Sequence, residues 1–145
     1  MVYIGADHGG FQLKEKMKSW LKEWSVEFVD VGAFALDESD DYPDIAKSVT
    51  RHVVENPEKN FGVLLCKSGG GMVIAANRFP QARAVYIFDE VSAAHAKTDN
   101  NANIAAFAAS WIDESVAKQS LFVFLQTQFS NEERHIRRIG KIEAV

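Results

Sequence analysis

The chain has 145 residues, of which 47% are hydrophobic and 25% are charged. This size and composition predict a single globular domain, residues 1–145, with a buried core. The net charge of -4 argues against nucleic acid or a membrane surface as partner. No segment has the pattern of a signal peptide or a membrane helix, and the single cysteine fits a reducing compartment. We therefore expect a cytoplasmic protein.

The first half of the chain alternates strand-like and helical segments. VYIGAD predicts a strand, and Leu13, Met17 and Trp20 lie on one stripe of a following helix. SVEFVDVGA predicts the second strand, and FALDESDD is interpreted as a solvated acidic loop. A helix is expected in YPDIAKSVTRHVVENPEKN. FGVLLC has no polar alternation, which is typical of a strand buried on both faces.

The second half continues the alternation. A helix from about Met72 to Phe79 is followed by strand ARAVYIFD, helix EVSAAHAKTDN and strand NIAAFAA. Asp113 is a candidate N-cap of the next helix, in which Glu114 and Lys118 have the spacing of an ion pair. NEERHIRRIGKIEAV forms a C-terminal basic helix. This order predicts an α/β, Rossmann-like three-layer sandwich with a roughly five-stranded parallel sheet.

In such folds, ligands bind at the carboxyl ends of the strands. We therefore expect a site where Asp7 and His8 follow the first strand and where Cys66 begins the loop after the third. Asp7 has the alternative role of a helix N-cap. A histidine here suits contact with a phosphate or a sugar hydroxyl.

The loop after the third strand has two interpretations. Its backbone N–H groups at Gly69, Gly70 and Gly71 suit a phosphate or a developing oxyanion, but a tight turn would use the same residues. Cys66 is either a buried structural residue or a thiolate favoured by the helix N-terminus and Lys67. The order of residues matches neither a Walker loop nor a dinucleotide fingerprint.

Two arginines share one face of the basic helix. Arg134 and Arg138 are four residues apart, which suits bidentate contacts to a phosphate, although pairing with Glu132 and Glu133 is the alternative. His52 and His95 are interpreted as surface or packing residues. No histidine or carboxylate pair has zinc-like spacing, so no metal is assigned.

These motifs occur together, and in this order, in one known family. The chain resembles the ribose-5-phosphate isomerase B and galactose-6-phosphate isomerase family over nearly its whole length. The matching stretches are IGADHGGFQLKE, DYPDIA, CKSGGGMVIAANR, ARAVYIFDEVSAAHAKTDNNANIAAFAA and EERHIRRI. The resemblance implies an aldose–ketose isomerase of sugar phosphates that works through a cis-enediolate without metal or organic cofactor. It also implies a homodimer or tetramer with active sites at the subunit interface.

The resemblance implies a role for each candidate residue. Cys66 corresponds to the base, and Ser68 with the amides of Gly69, Gly70 and Gly71 corresponds to the groups that hold the enediolate oxygen. Sugar-binding positions correspond to Asp7, Tyr42 and Asn100. Phosphate-binding positions correspond to His8, Arg134 and Arg138. Lys67 is expected beside the substrate.

Three residues depart from the family pattern. Lys67 places a charge next to the base, Asp99 replaces a ring-opening histidine, and Ser110 replaces a phosphate-binding arginine. Asp99 is the candidate base for ring opening. The leading hypothesis is interconversion of ribose 5-phosphate and ribulose 5-phosphate. The alternatives are a different pentose or hexose phosphate, the need for a partner subunit, a non-catalytic sugar-phosphate sensor, or a nucleotide-binding flavodoxin-like module.

Overall fold

The computed structural model describes residues 1–144, which form five strands and six helices. The strands are β1 (Val2–Ala6), β2 (Phe28–Gly32), β3 (Phe61–Cys66), β4 (Ala84–Tyr86) and β5 (Ile104–Ala108). The helices are α1 (Phe11–Glu23), α2 (Tyr42–Val54), α3 (Gly70–Ala76), α4 (Glu90–Thr98), α5 (Glu114–Gln126) and α6 (Glu133–Glu143). Within residues 1–144, no helix is both long enough and apolar enough to cross a membrane.

The five strands form one parallel sheet in the order β2-β1-β3-β5-β4. Apolar side chains of α1, α4 and α5 pack on one face, and those of α2 and α3 pack on the other. The central strand β3 is covered on both sides, which explains its unbroken apolar sequence. The predicted α/β three-layer sandwich is therefore confirmed.

Two helices end earlier than the sequence indicates. α2 stops at Val54 rather than continuing to Asn60, because Pro57 has no N–H to donate and disfavours helical backbone before it. The Asn60 side chain then donates to the carbonyl of His52 at 2.8 Å. α3 covers Gly70–Ala76 instead of Met72–Phe79, because the Asn77 side chain pairs with the backbone of the next strand.

The expected ion pair within α5 is wrong. Glu114 contacts Lys16 of α1 at 2.5 Å, and Lys118 contacts Glu23 of α1 at 2.7 Å. Asp113 does occupy the N-cap position, but its side chain makes no capping hydrogen bond. Both partners of the expected pair therefore hold α1 against α5.

A buried lysine fixes α1 to the end of β2. The Lys14 side chain is fully buried, and its Nζ donates to both carboxylate oxygens of Asp30 at 2.8 and 2.7 Å. It also donates to the carbonyl of Ala33 at 2.7 Å. Buried charges require such partners, and these contacts set where the acidic loop 34–41 leaves the sheet.

Candidate functional site

The loops after β1 and β3 touch at the carboxyl edge of the sheet. The Asp7 N–H donates to the carbonyl of Leu65 at 3.2 Å. A Cβ atom at Gly9 would lie 2.9 Å from the backbone nitrogen of Lys67, so the close approach requires glycine. The structure thus brings the Asp7–His8 turn beside the Cys66 loop, as the sequence predicts.

The Cys66 thiol is buried at this edge of the sheet. Cys66 ends β3, is 5% exposed, and its Sγ accepts the backbone N–H of Gly69 at 3.0 Å. Gly69 adopts φ +78°, a left-handed conformation that favours glycine. An N–H directed at sulfur stabilises negative charge on that atom. The thiol is therefore buried, as a core residue would be, and also contacted by a polar group.

The glycine loop leads into α3, and two tyrosine rings pack against this loop. The N–H groups of Gly70 and Gly71 lie in the first helical turn, where backbone donors have no acceptor within the helix. A Cβ at Gly71 would lie 2.6 Å from the Tyr42 ring, and one at Gly69 would lie 2.8 Å from the Tyr86 ring. Tyr42 and Tyr86 therefore both lie beside the loop. For Tyr86, no pattern in the sequence indicated this position.

Lys67 and Ser68 are both exposed at the start of the same loop. The structure therefore brings together nine of the candidate residues at one edge. They are Asp7, His8, Tyr42, Cys66, Lys67, Ser68, Gly69, Gly70 and Gly71.

Asp7 is buried in the turn and is not a helix N-cap. Gly10 holds the N-cap position of α1, and its N–H donates to Oδ1 of Asp7 at 3.1 Å. Burial raises the pKa of the Asp7 carboxyl, while the hydrogen bond from Gly10 acts in the opposite direction. Such a carboxyl, at 6% exposure, is suited to accept or donate a hydrogen bond to a sugar hydroxyl.

His8 is bonded to a residue of the acidic loop. Its Nδ1 lies 2.6 Å from Oδ1 of Asp40, and its backbone N–H donates to the same oxygen at 3.0 Å. The interpretation of this loop as solvated is wrong for Asp40, whose side chain is 13% exposed. Asp40 lies 32 residues from His8, and no spacing rule in the sequence indicates that contact.

A cavity of about 480 Å³ lies next to His8. Its walls come from the β1–α1 turn, α1, loop 34–41 and the connection between β5 and α5. Lys16 and Glu114 form their ion pair on this wall, and Ser110 lines it as well. The cavity is therefore large enough for a small anion and carries the Lys16 ammonium group and the His8 imidazole on its wall.

The remaining candidate residues lie at the opposite edge. Asp99 and Asn100 follow α4, which runs back from the carboxyl edge, and they precede β5. The register pairs Gly62 with Ile104 and Cys66 with Ala108. At about 3.3 Å per residue, four residues of β3 separate the two edges by about 13 Å. One chain alone therefore does not bring these residues to Cys66.

Asp99 lies between two histidines. Its Oδ2 is 3.3 Å from Nδ1 of His95 and 3.8 Å from Nε2 of His135. The Thr98 hydroxyl donates to Oδ1 at 2.9 Å. This hydrogen bond, with the nearby histidines and Arg134, lowers the pKa of Asp99. The buried His135 also bonds Ser130 through Nδ1 at 2.8 Å, so this cluster attaches α6 to the end of α4.

The three arginines of α6, Arg134, Arg137 and Arg138, are exposed. Arg134 donates to Glu132 at 2.7 Å, which is the pairing weighed as the alternative for this helix. Arg138 follows one turn later on the same helix. Arg134 and Arg138 are thus accessible to a molecule that approaches this edge, but Arg134 would have to give up its bond to Glu132 to bind that molecule.

The chain matches the family model described as Ribose/Galactose Isomerase over residues 2–142. It is 36% identical over 138 residues to ribose-5-phosphate isomerase B of Mycobacterium tuberculosis, covering 95% of this chain and 85% of that one. Its fold is similar to the crystal structure of ribose-5-phosphate isomerase B from Mycoplasma genitalium with bound ribulose-5-phosphate. That comparison has a TM-score of 0.95 and 34% identity, and covers 99% of this chain and 93% of the other.

The ribose 5-phosphate isomerase of Thermotoga maritima is similar as well. Its crystal structure gives a TM-score of 0.94 at 41% identity, covering 99% of this chain and 97% of that chain. The likeness therefore includes both edges of the sheet and the C-terminal helix.

Proposed function

Because the chain belongs to the ribose/galactose isomerase family, we propose that it is an aldose–ketose isomerase of sugar phosphates. The preferred reaction is interconversion of ribose 5-phosphate and ribulose 5-phosphate. The observation that carries the proposal is the Cys66 thiol, held 3.0 Å from the Gly69 N–H at the carboxyl edge. The ribulose-5-phosphate bound in the similar Mycoplasma structure supports a pentose phosphate as substrate.

Cys66 is the proposed base. Its thiolate takes the C2 proton of the open-chain aldose, which gives a cis-enediolate, and the thiol returns a proton to C1. The hydroxyl proton moves from O2 to O1, so the ketose forms without net loss or gain of atoms. Proton abstraction beside a carbonyl requires a base within hydrogen-bond reach and a stabilised oxyanion.

The glycine loop is the proposed site for the enediolate oxygens. Since the Gly69 N–H contacts sulfur, its main contribution is to the thiolate. The N–H groups of Gly70 and Gly71 and the Ser68 hydroxyl are then the donors for the oxygens. Lys67, exposed next to the base, adds positive charge near the same oxygens.

The other residues of this edge hold the rest of the sugar phosphate. Asp7 and Tyr42 bind hydroxyl groups, and His8 contacts the phosphate. Support comes from the buried Asp7 carboxyl, the Tyr42 ring against Gly71, and the cavity that His8 lines.

We further propose that a second copy of the chain completes each site. Asn100, Arg134 and Arg138 lie at the edge away from Cys66, so they contact a shared substrate only from a partner. Exposed apolar side chains occur near the Cys66 loop at Ile74 and Phe88, the latter with its ring centroid 6.1 Å from that of Tyr86. An apolar surface of this kind supports association. The proposed assembly is a homodimer, or a tetramer built from such dimers.

Asp99 of the partner is the proposed base for opening the sugar ring. The hydrogen bond from Thr98 lowers the pKa of Asp99 and so keeps the carboxylate charged, and Nδ1 of His95 lies close enough, at 3.3 Å, to share a proton with it. A charged carboxylate removes the O1 proton of the hemiacetal as the ring C1–O4 bond breaks, and the carboxylic acid formed in this way returns that proton to O4.

A substrate panel tests the function. The purified protein is assayed with pentose and hexose phosphates, and hydrogen exchange at C1 and C2 is followed in heavy water. Isomerisation of ribose 5-phosphate with solvent exchange is expected, whereas turnover of hexose phosphates alone would change the substrate. A folded protein that binds these compounds without turnover would instead be a sensor. A reduced thiol also fits the proposed cytoplasmic location.

A further inference from the structure

The two ring nitrogens of His8 are not equivalent. Nδ1 lies 2.6 Å from Oδ1 of Asp40, and a carboxylate oxygen only accepts, so Nδ1 carries the hydrogen of this bond. Among residues 1–144, Nε2 has no hydrogen-bond partner. In the neutral ring Nε2 would then be an acceptor, and it becomes a donor only when the imidazole is protonated.

The oxygens of an ionised phosphate, like those of a carboxylate, carry no hydrogen and can only accept a hydrogen bond from His8. A neutral His8 bonded to Asp40 through Nδ1–H would turn a lone pair towards the anion, which is unfavourable. The protonated ring presents Nε2–H and a positive charge together, and such charge-assisted bonds are about twice as strong as neutral ones.

We infer that Asp40 is a positioning residue for the phosphate of the substrate, because it fixes the His8 ring through Nδ1 and keeps it as an imidazolium with Nε2–H available to the anion. This inference rests on the proposed function and names how the same site binds its substrate. In this proposal Asp40 does not itself contact the phosphate, because both groups are anions.

The other groups that line the cavity make a positive charge on His8 important for binding an anion. Ser110 lines the cavity where the family resemblance implies an arginine, so this position contributes no permanent cation. Lys16 is the second cation on the cavity wall, but Glu114 already pairs with it at 2.5 Å. Oδ2 of Asp40 is buried and has no hydrogen-bond partner within residues 1–144. A poorly solvated carboxylate favours a charged neighbour.

The charged groups around His8 come from several elements. Its pKa is raised chiefly by the hydrogen bond to Asp40; desolvation is the next largest effect and lowers it, and the charges of Asp7, Asp40 and Glu38 raise it further. The other groups that line the cavity or adjoin the turn are Asp37, Lys16, Glu114 and Lys67.

The direction of the pH effect follows from that pKa. The imidazolium is present below the pKa of His8 and is lost as pH rises through it. A phosphate monoester becomes a dianion above its second pKa of about 6. Binding should therefore be strongest between pH of about 6 and the raised pKa of His8.

The test measures the His8 titration by NMR in the wild-type protein, with the signal assigned by comparison with His8→Gln. His8 is expected to titrate above its ordinary value of 6.5. In Asp40→Asn the titration should move to lower pH. At a pH between the two measured midpoints, the dissociation constant of inorganic phosphate should rise about tenfold in Asp40→Asn, whereas well below both midpoints it should change by less than about threefold. KM for the sugar phosphate should follow the same pattern, with kcat changing less.

Asp41→Asn is the matched control. It removes the same charge from the next residue, which is exposed and makes no side-chain capping bond, and it should leave phosphate binding unchanged. A wild-type His8 that titrates at or below 6.5 would overturn the inference without any variant. Equal weakening of phosphate binding by Asp40→Asn between the two midpoints and well below both would also overturn it. Failure of the proposed function appears separately, as normal phosphate titrations in a protein without isomerase activity.

Discussion

The Gly69 N–H lies 3.0 Å from the Cys66 Sγ, and Gly69 achieves this contact with φ +78° while the Tyr86 ring packs against its Cα. One glycine therefore sets both the shape of the loop and the polar contact of the thiol. The neighbouring Gly70 has open space where a Cβ would be placed, so the two positions can be compared directly.

Gly69→Ala should damage both stability and turnover. The added Cβ would lie 2.8 Å from the Tyr86 ring, in a backbone conformation that L-residues disfavour. We expect a loss of about 2–3 kcal/mol in the free energy of unfolding, measured by urea denaturation. Gly70→Ala should change this free energy by less than about 0.5 kcal/mol. Similar losses in both variants would contradict the role of the Gly69 conformation.

Cys66→Ala should lower kcat with the fold retained. A general base contributes about 10²–10⁴-fold, so kcat should fall by at least that range in steady-state assays. Small apolar alanine fits a buried position, and circular dichroism should match the wild type. Cys66→Ser is the second variant, and its hydroxyl should recover little activity because it is a weaker acid than a thiol. A near wild-type rate in Cys66→Ala would mean that another group moves the proton.

Mixing two inactive variants should restore activity if a partner completes the site. Cys66→Ala lacks the base at one edge, and Arg134→Ala/Arg138→Ala lacks the two guanidinium groups that are proposed to hold the phosphate at the other. After joint unfolding and refolding, mixed dimers contain one intact site of two, so about a quarter of wild-type activity is expected. The assay uses substrate well below KM. A monomer by sedimentation, or no recovery on mixing, would contradict the shared site.

Asp99→Ala should separate ring opening from isomerisation. The variant loses a carboxylate that lies 3.3 Å from His95, so kcat/KM for cyclic ribose 5-phosphate should fall about 10²-fold or more. The rate with an open-chain substrate should change little. His95→Gln tests whether the neighbouring imidazole shares this role. Equal effects of Asp99→Ala on both substrates would rule out ring opening by this residue.

Because of Lys97, the free energy of unfolding should change with pH in the alkaline range. It is buried between the Phe61 and Phe124 rings, and burial, with a smaller effect of Arg83, lowers its pKa from 10.5 to about 8. The unfolded chain therefore binds more protons than the native protein between these values, so stability rises with pH there.

The measurement compares wild type with Lys97→Met in urea at pH 7.5 and pH 10. Wild type should gain about 1–3 kcal/mol relative to the variant over this interval. Lys22→Met, at an exposed position of α1, should show the same pH dependence as wild type. A constant difference between wild type and Lys97→Met would mean that the ammonium group is not desolvated.

Local patterns predicted the secondary-structure elements and the candidate residues that meet at the carboxyl edge of the sheet. The alternation of apolar strands and amphipathic segments is a short-range property, and parallel strands place the loops after β1 and β3 at one edge. Cys66, the three glycines and the Asp7–His8 turn therefore lie together as expected. The end of α2 follows from Pro57, a signal that the sequence contains. The end of α3 was less predictable, since the Asn77 side chain pairs with the backbone of β4.

Long-range side-chain contacts were decided only by the tertiary structure. Glu114 has the spacing to pair with Lys118, yet α1 packs so close to α5 that Glu114 pairs with Lys16 instead. Asp40 belongs to an acidic segment that looks solvated, but Lys14 fixes the start of its loop, and Asp40 then meets His8. The sequence alone determined the succession of strands and helices along the chain and the chemical groups that each loop carries. Which charges meet depended on packing, because contact energies act over a few ångströms in space and not along the chain.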